Sequence, residues 1–186
     1  YKKLHSYTPK KIISLDETSI YINMTHTYGY SKRGQRAIII THTYPFKRFN
    51  VLCAIRYNKV IGIEIYEELK GSVKQKELAE FINKYIKGKY KKNLILLDNA
   101  MPHRANKVKE VMKASGNDYM YTIPYHPETN PIEEFFSQLK YYVRKESPQN
   151  YKEIKKVVME TIKMKISKKN LTNYISHSYN LYKKYH

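Results

Sequence analysis

The sequence predicts an α/β fold, a mixed sheet flanked by helices, and three observations predict it. Short apolar runs such as Ile12-Ile13 and Leu94-Ile95-Leu96-Leu97 alternate with segments whose apolar residues recur at helical spacing. The chain has 186 residues, enough for one core but short of two. Its apolar share is 41%, ordinary for a globular protein, and no run approaches the roughly 18 apolar residues that span a membrane. Strands alternating with helices imply that part of the sheet is parallel.

Lys11 to Asp16 reads as a buried strand ending in an acid. Thr18 to Arg48 is weakly periodic; it carries a basic loop with Lys32, Arg33 and Arg36, and Ala37 to Thr41 is a candidate strand. Phe49–Arg56 and Lys59–Tyr66 are β-rich, and Tyr57-Asn58 between them suits a tight hairpin. Ser72-Val73-Lys74-Gln75 reads as a capping box opening a helix with Leu78, Phe81, Ile82, Tyr85 and Ile86 on one face and Gly88 as its stop. Asn93 to Leu97 is a second buried strand, followed by Asp98. A helix from about Arg104 turns Val108, Val111 and Met112 inward and ends at Gly116. Asp118 to Ile123 is a short strand.

Pro124, Pro127 and Pro131 stiffen the next loop, and Pro131 suits a first helical position. Ile132, Phe135, Phe136, Leu139 and Val143 form that helix's buried stripe. Ser147-Pro148 begins another helix with Ile154, Val157, Val158 and Ile162 on one face, and a last amphipathic segment carries Leu171, Tyr174, Ile175 and Tyr182. With no repeat or linker, residues 1–186 read as a single domain with extra C-terminal helices.

The net charge is +19, and it is unevenly placed. Residues 1–48 carry nine basic and two acidic side chains, residues 49–139 carry 14 and 11, and residues 140–186 carry 12 and three. Cationic ends on a balanced middle fit a polyanionic partner, because neutralising phosphates releases counterions. The 20 tyrosines accompany abundant Lys, Ile and Asn, and read mainly as core and surface filler. The single cysteine, Cys53, lies in an apolar run and reads as a buried thiol. With no secretory signal at the start, an intracellular location is expected, cytoplasm or nucleoid in a bacterium and nucleus in a eukaryote.

Only three of the 16 acids are aspartates, and two of them, Asp16 and Asp98, follow apolar β runs. Sites in α/β sheets form at the carboxyl ends of strands. Two carboxylates meeting there repel unless a cation lies between them, and hard oxygen donors select Mg²⁺ or Mn²⁺. Taken singly, each aspartate also suits capping the turn that follows it. A third acid is available in Glu133 or Glu134 at the start of the helix after the prolines; on a helical wheel Glu133 lies nearer the apolar stripe. Either acid also suits a helix N-terminus through the macrodipole.

Three blocks carry a resemblance: Ser14-Leu15-Asp16-Glu17-Thr18, Leu97-Asp98-Asn99-Ala100-Met101-Pro102-His103, and Pro124-Tyr125-His126-Pro127-Glu128-Thr129-Asn130-Pro131-Ile132-Glu133. In this order, with 34 residues between Asp98 and Glu133, they resemble the acidic blocks of mariner-type DDE transposases, and most of all the bacterial insertion-sequence branch. The likeness runs from about Lys11 to Lys145. Thr129 and His126 depart from it, standing where members usually have leucine and serine.

The resemblance implies a ribonuclease H-like fold with a five-stranded mixed sheet. It implies a catalytic domain whose Asp16, Asp98 and Glu133 hold two Mg²⁺ or Mn²⁺ ions, with Asp16 on both. The expected chemistry is phosphodiester cleavage and strand transfer on transposon ends and target DNA, with insertion at a TA dinucleotide by a homodimer assembled on DNA. Asn99 and His103 would support the site from behind the acids, although His103 could equally face solvent. His126 would be a loop contact, and Lys32, Arg33 and Arg36 would touch DNA. Helix-turn-helix modules usually precede such a domain, and there is no room for them before Asp16. The competing expectations are an inactive, domesticated DNA-binding remnant and a ribonuclease H-like nuclease of another kind.

Overall fold

A computed structural model describes residues 2–22, 24, 29–38, 47–67, 71–182 and 184. Five strands form one sheet: β1 (Ile12–Tyr21), β2 (Arg48–Arg56), β3 (Lys59–Tyr66), β4 (Leu94–Leu97) and β5 (Asp118–Tyr121). Their order is β3-β2-β1-β4-β5. β1 to β3 are antiparallel neighbours, while β4 and β5 join β1 in parallel. The helices are α1 (Lys2–His5), α2 (Gln75–Tyr85), α3 (Met101–Arg104), α4 (Asn106–Ala114), α5 (Pro131–Glu146), α6 (Tyr151–Met164) and α7 (Lys168–Leu181).

Strand alternation sorts the residues onto two faces. Ile13, Leu15, Leu52 and Ala54 pack against Leu78, Phe81 and Ile82 of α2 and Val108 and Met112 of α4. On the opposite face Ile20, Val51, Cys53 and Ile55 pack against Phe135, Phe136, Leu139 and Val143 of α5 with Ile154 and Val158 of α6. A smaller cluster joins Leu4, Ile12, Leu94 and Leu96 to Ile175 of α7. The result is three layers, helices on each side of a sheet. Gly62 allows the close approach of α2, since a Cβ there would stand 2.5 Å from the Tyr85 ring. The Thr172 hydroxyl donates to the Tyr57 carbonyl and the Tyr151 hydroxyl to that of Ile65, tying α7 and α6 to the β2–β3 hairpin.

Several boundaries differ from the sequence expectation, each for a local reason. β1 does not stop at Asp16; it runs to Tyr21 because β2 pairs with it that far. Its parallel pairing with β4, however, ends at Ser14 opposite Leu96, so Asp16 lies just beyond the parallel ladder. α2 begins after Lys74 rather than Ser72, where the Glu77 carboxylate accepts the Lys74 backbone N–H at 3.1 Å. Ser147 does not open α6. It closes α5 in the left-handed conformation (φ 44°), and Asn150 caps α6 by accepting the Glu153 N–H. Ala37 and Ile38 are in no strand, and the rest of that candidate, residues 39–41, lies outside the described residues. Among the described residues no helix is long and apolar enough to cross a membrane.

Candidate active site

Asp16 and Asp98 come together where the parallel ladder ends. One ligand-type atom each from Asp16, Asp98 and His103 lies within 4.8 Å of the other two. Asp16 is buried at 4% exposure, while the Asp98 side chain is half-exposed. Glu133 is outside this tight group but lines the same cavity of about 410 Å³ as Asp98, with Asn99, Asn130 and the loop Thr122 to Pro127. Glu134 is turned away, 2.5 Å from the His177 imidazole of α7. The wheel placed Glu133 nearer the apolar stripe, yet Glu134 is the more covered of the two because α7 packs over it.

His103 is buried, so the solvent-facing expectation fails for it. Its Nε2 lies 2.9 Å from Glu17 on β1, and its Nδ1 lies 2.5 Å from Asp98 Oδ1, so the ring is in contact with both acids. Burial disfavours the imidazolium, but the bonds to Asp98 and Glu17 and the charges of Glu17 and Asp16 outweigh burial and raise its pKa to about 10. For Asp98, burial likewise opposes ionisation; the His103 contact and the Ala100 backbone N–H prevail and hold it below the usual carboxylate range.

Asp16 behaves in the opposite way. Burial first, and then the charge of Asp98, push it well above the ordinary aspartate value, with His103 only partly offsetting them. Its two oxygens accept one bond each, from the Glu17 backbone N–H at 2.8 Å and the Asn130 amide at 2.7 Å. Ser14, two residues earlier on the same strand face, donates to the Asn130 side-chain oxygen at 2.6 Å. Glu133, although exposed over part of its surface, is also raised, by partial desolvation first and then by the charge of Asp98, against the pull of Lys140.

Asn99 donates to the Thr122 carbonyl at 2.8 Å, joining the ends of β4 and β5 beneath the cavity. His126 contacts Glu128 at 2.8 Å on the cavity rim. Lys32, Arg33 and Arg36 are exposed on a turn closed by the Gln35 N–H to Lys32 carbonyl bond. Glu17, Ser14 and Asn130 were not singled out from the sequence. The period-2 spacing of Ser14 and Asp16 was the available signal for one of them, and the adjacency of Asn130 to Pro131 for another.

The two carboxylates of this group, Asp16 and Asp98, offer the hard oxygen donors that a divalent cation selects, with an unfavourable charge balance on Asp16.

No curated protein matches the chain. Solved structures do. The Mos1 strand transfer complex superposes with a TM-score of 0.80 at 19% identity, over 95% of this chain and 53% of that one. The Mos1 mariner paired end complex with Mn gives 0.82 at 18%, over 98% and 58%. The catalytic domain of Mos1 mariner transposase gives 0.70 at 16%, over 98% and 86%. The chain thus spans little more than half the length of the chains in those complexes and nearly all of the isolated catalytic domain. At these identities the likeness establishes the ribonuclease H-like fold. The profile of the DDE superfamily endonucleases matches residues 11–155, from the start of β1 into α6 and across every acid described above. The chain therefore belongs to the DDE superfamily endonucleases.

Proposed function

We propose that this chain is the catalytic unit of a DNA transposase, cutting phosphodiester bonds and joining strands with divalent metal ions held by Asp16, Asp98 and Glu133. The observation that carries it is the meeting of Asp16 and Asp98 within 4.8 Å inside a chain of net charge +19. Two Mg²⁺ or Mn²⁺ ions bound there would supply Lewis acidity and an activated water for attack on a phosphodiester. The Mos1 complexes containing Mn, Mg and a transposon end support metal dependence and transposon ends as the DNA substrate. The paired-end assembly likewise supports a homodimer on DNA.

The chain's own groups divide the work. Asp16 and Asp98 present oxygens from adjacent strands, and Glu133 approaches from the start of α5. His103 and Asn99 hold Asp98 and the floor of the cavity in place. The exposed Lys32, Arg33 and Arg36 and the cationic C-terminal helices attract phosphates without reading sequence.

The test is nicking of a supercoiled plasmid with Mn²⁺ present or chelated. Cleavage should require the ion. Glu133→Gln should lower it by at least about 10³-fold, the scale of losing several kcal/mol of transition-state stabilisation. Glu134→Gln should retain most of it. Duplex binding without cleavage in any divalent ion would instead favour an inactive DNA-binding remnant.

A further inference from the structure

We propose that Asn130 is a positioning residue which fixes the orientation of Asp16 and, through its backbone, the place of Glu133 relative to it. The inference rests on the metal-dependent reading above and assigns the arrangement of the ligands to a residue that is not itself a ligand.

Asn130 precedes Pro131 and occupies the N-cap position of α5. Asparagine is among the best capping residues, and its side chain usually accepts an N–H of the first turn, worth about 1 kcal/mol. Here it makes no such bond. Both ends of the amide point into the sheet instead. Nδ2 donates to Asp16 Oδ2 at 2.7 Å, and Oδ1 accepts the Ser14 hydroxyl at 2.6 Å. All three side chains are buried, at 3%, 4% and 0% exposure. The sense of the amide is dictated by its neighbours, since reversal would set its oxygen against the Asp16 carboxylate. Its backbone carbonyl, meanwhile, accepts the Glu133 N–H at 3.1 Å. One residue is therefore bonded to two of the three acids, across 114 positions to the first and three to the other.

The chemistry suits a neutral amide. With Glu17 N–H on one Asp16 oxygen and Asn130 on the other, the carboxylate plane is fixed while each oxygen keeps a lone pair for a cation. A lysine here would neutralise Asp16 and compete with the metal. An aspartate would add a further negative charge to a buried acidic group.

The test measures free Mn²⁺ by electron paramagnetic resonance in titrations of wild type, Asn130→Ala and Ser14→Ala, beside thermal melts and the metal dependence of cleavage. Partners behind metal ligands typically govern affinity by 10–100-fold. Asn130→Ala should bind Mn²⁺ at least about tenfold more weakly, with cleavage recovering at high Mn²⁺. Ser14→Ala, which frees the amide but keeps it, should shift affinity in the same direction by less. A folded Asn130→Ala with wild-type affinity overturns the proposal. If that variant does not fold, Ser14→Ala decides: wild-type affinity there overturns the proposal, and weakened affinity supports it. A wild-type chain that binds no Mn²⁺ overturns the metal reading itself, and this inference with it.

Discussion

The two sides of the acidic site are built on opposite principles. On the α3 side, Asp98 meets His103, whose pKa is raised to about 10 and which Glu17 holds from β1. On the α5 side, Asp16 meets only neutral donors, the Asn130 amide and a backbone N–H. Both sides orient their acids, but the first compensates charge by direct contact and the second only in part, through His103 at a distance. Asp98 is accordingly held low and Asp16 is driven high. The difference shows where the demand for a cation lies. A buried carboxylate that is oriented but not neutralised is a preorganised ligand, and its unfavourable charge is relieved when a metal arrives.

The largest expected effect falls on the α3 side in metal-free protein. His103 carries a pKa raised from the ordinary 6.5 to about 10. A raised histidine stabilises the fold fully below its unfolded pKa and loses that contribution as pH climbs through the folded value. The metal-free melting temperature should therefore decline between about pH 6.5 and 10. His103→Gln should flatten that decline. At neutral pH it should cost about 2–3 kcal/mol, or roughly 5–10 °C, less than a fully buried pair because Asp98 is half-exposed. An unchanged melting curve would mean that the imidazolium does not compensate the acids.

A smaller effect should come from the α5 side. Asp16 and Glu133 are both raised, so protons compete with metal there, whereas Asp98 stays ionised. Mn²⁺ affinity should fall on acidification, starting at a pH above the range of ordinary carboxylates, by up to about tenfold per unit for each carboxylate that must release its proton. Calorimetry in buffers of different ionisation enthalpy would count those protons. Affinity independent of pH, with no proton release, would place the two aspartates on an equal footing and dissolve the contrast.

Much of this contrast could not be read from the sequence. The two aspartates were visible because apolar β runs lead directly into Asp16 and Asp98, whereas the helical wheel alone did not separate Glu133 from Glu134 by burial. The hairpin, the helical stripes and the balance of parallel and antiparallel strands followed from periodicity. Asn130 was visible only as part of a motif, because its role depends on partners more than a hundred residues away. Glu17 points to the opposite face of the sheet from Asp16, and only the placement of α3 brings His103 down to it. The end of β1 was misjudged for a related reason. A strand that has finished one ladder can continue in another, and β2 keeps β1 extended to Tyr21. Likewise Ser147 suits either a helix start or a helix end, and its left-handed backbone decides for the end.

The most direct test is a crystal structure of this chain soaked in Mn²⁺, with anomalous scattering used to locate the ions. A two-metal site predicts a peak between Asp16 and Asp98, within about 2.0–2.3 Å of an oxygen from each, and a second about 3.5–4 Å away near Glu133. Asn130 should keep its bond to Asp16, and Glu134 should stay with His177. Anomalous density elsewhere on the protein and none at Asp16, in crystals with the site open to solvent, would contradict it.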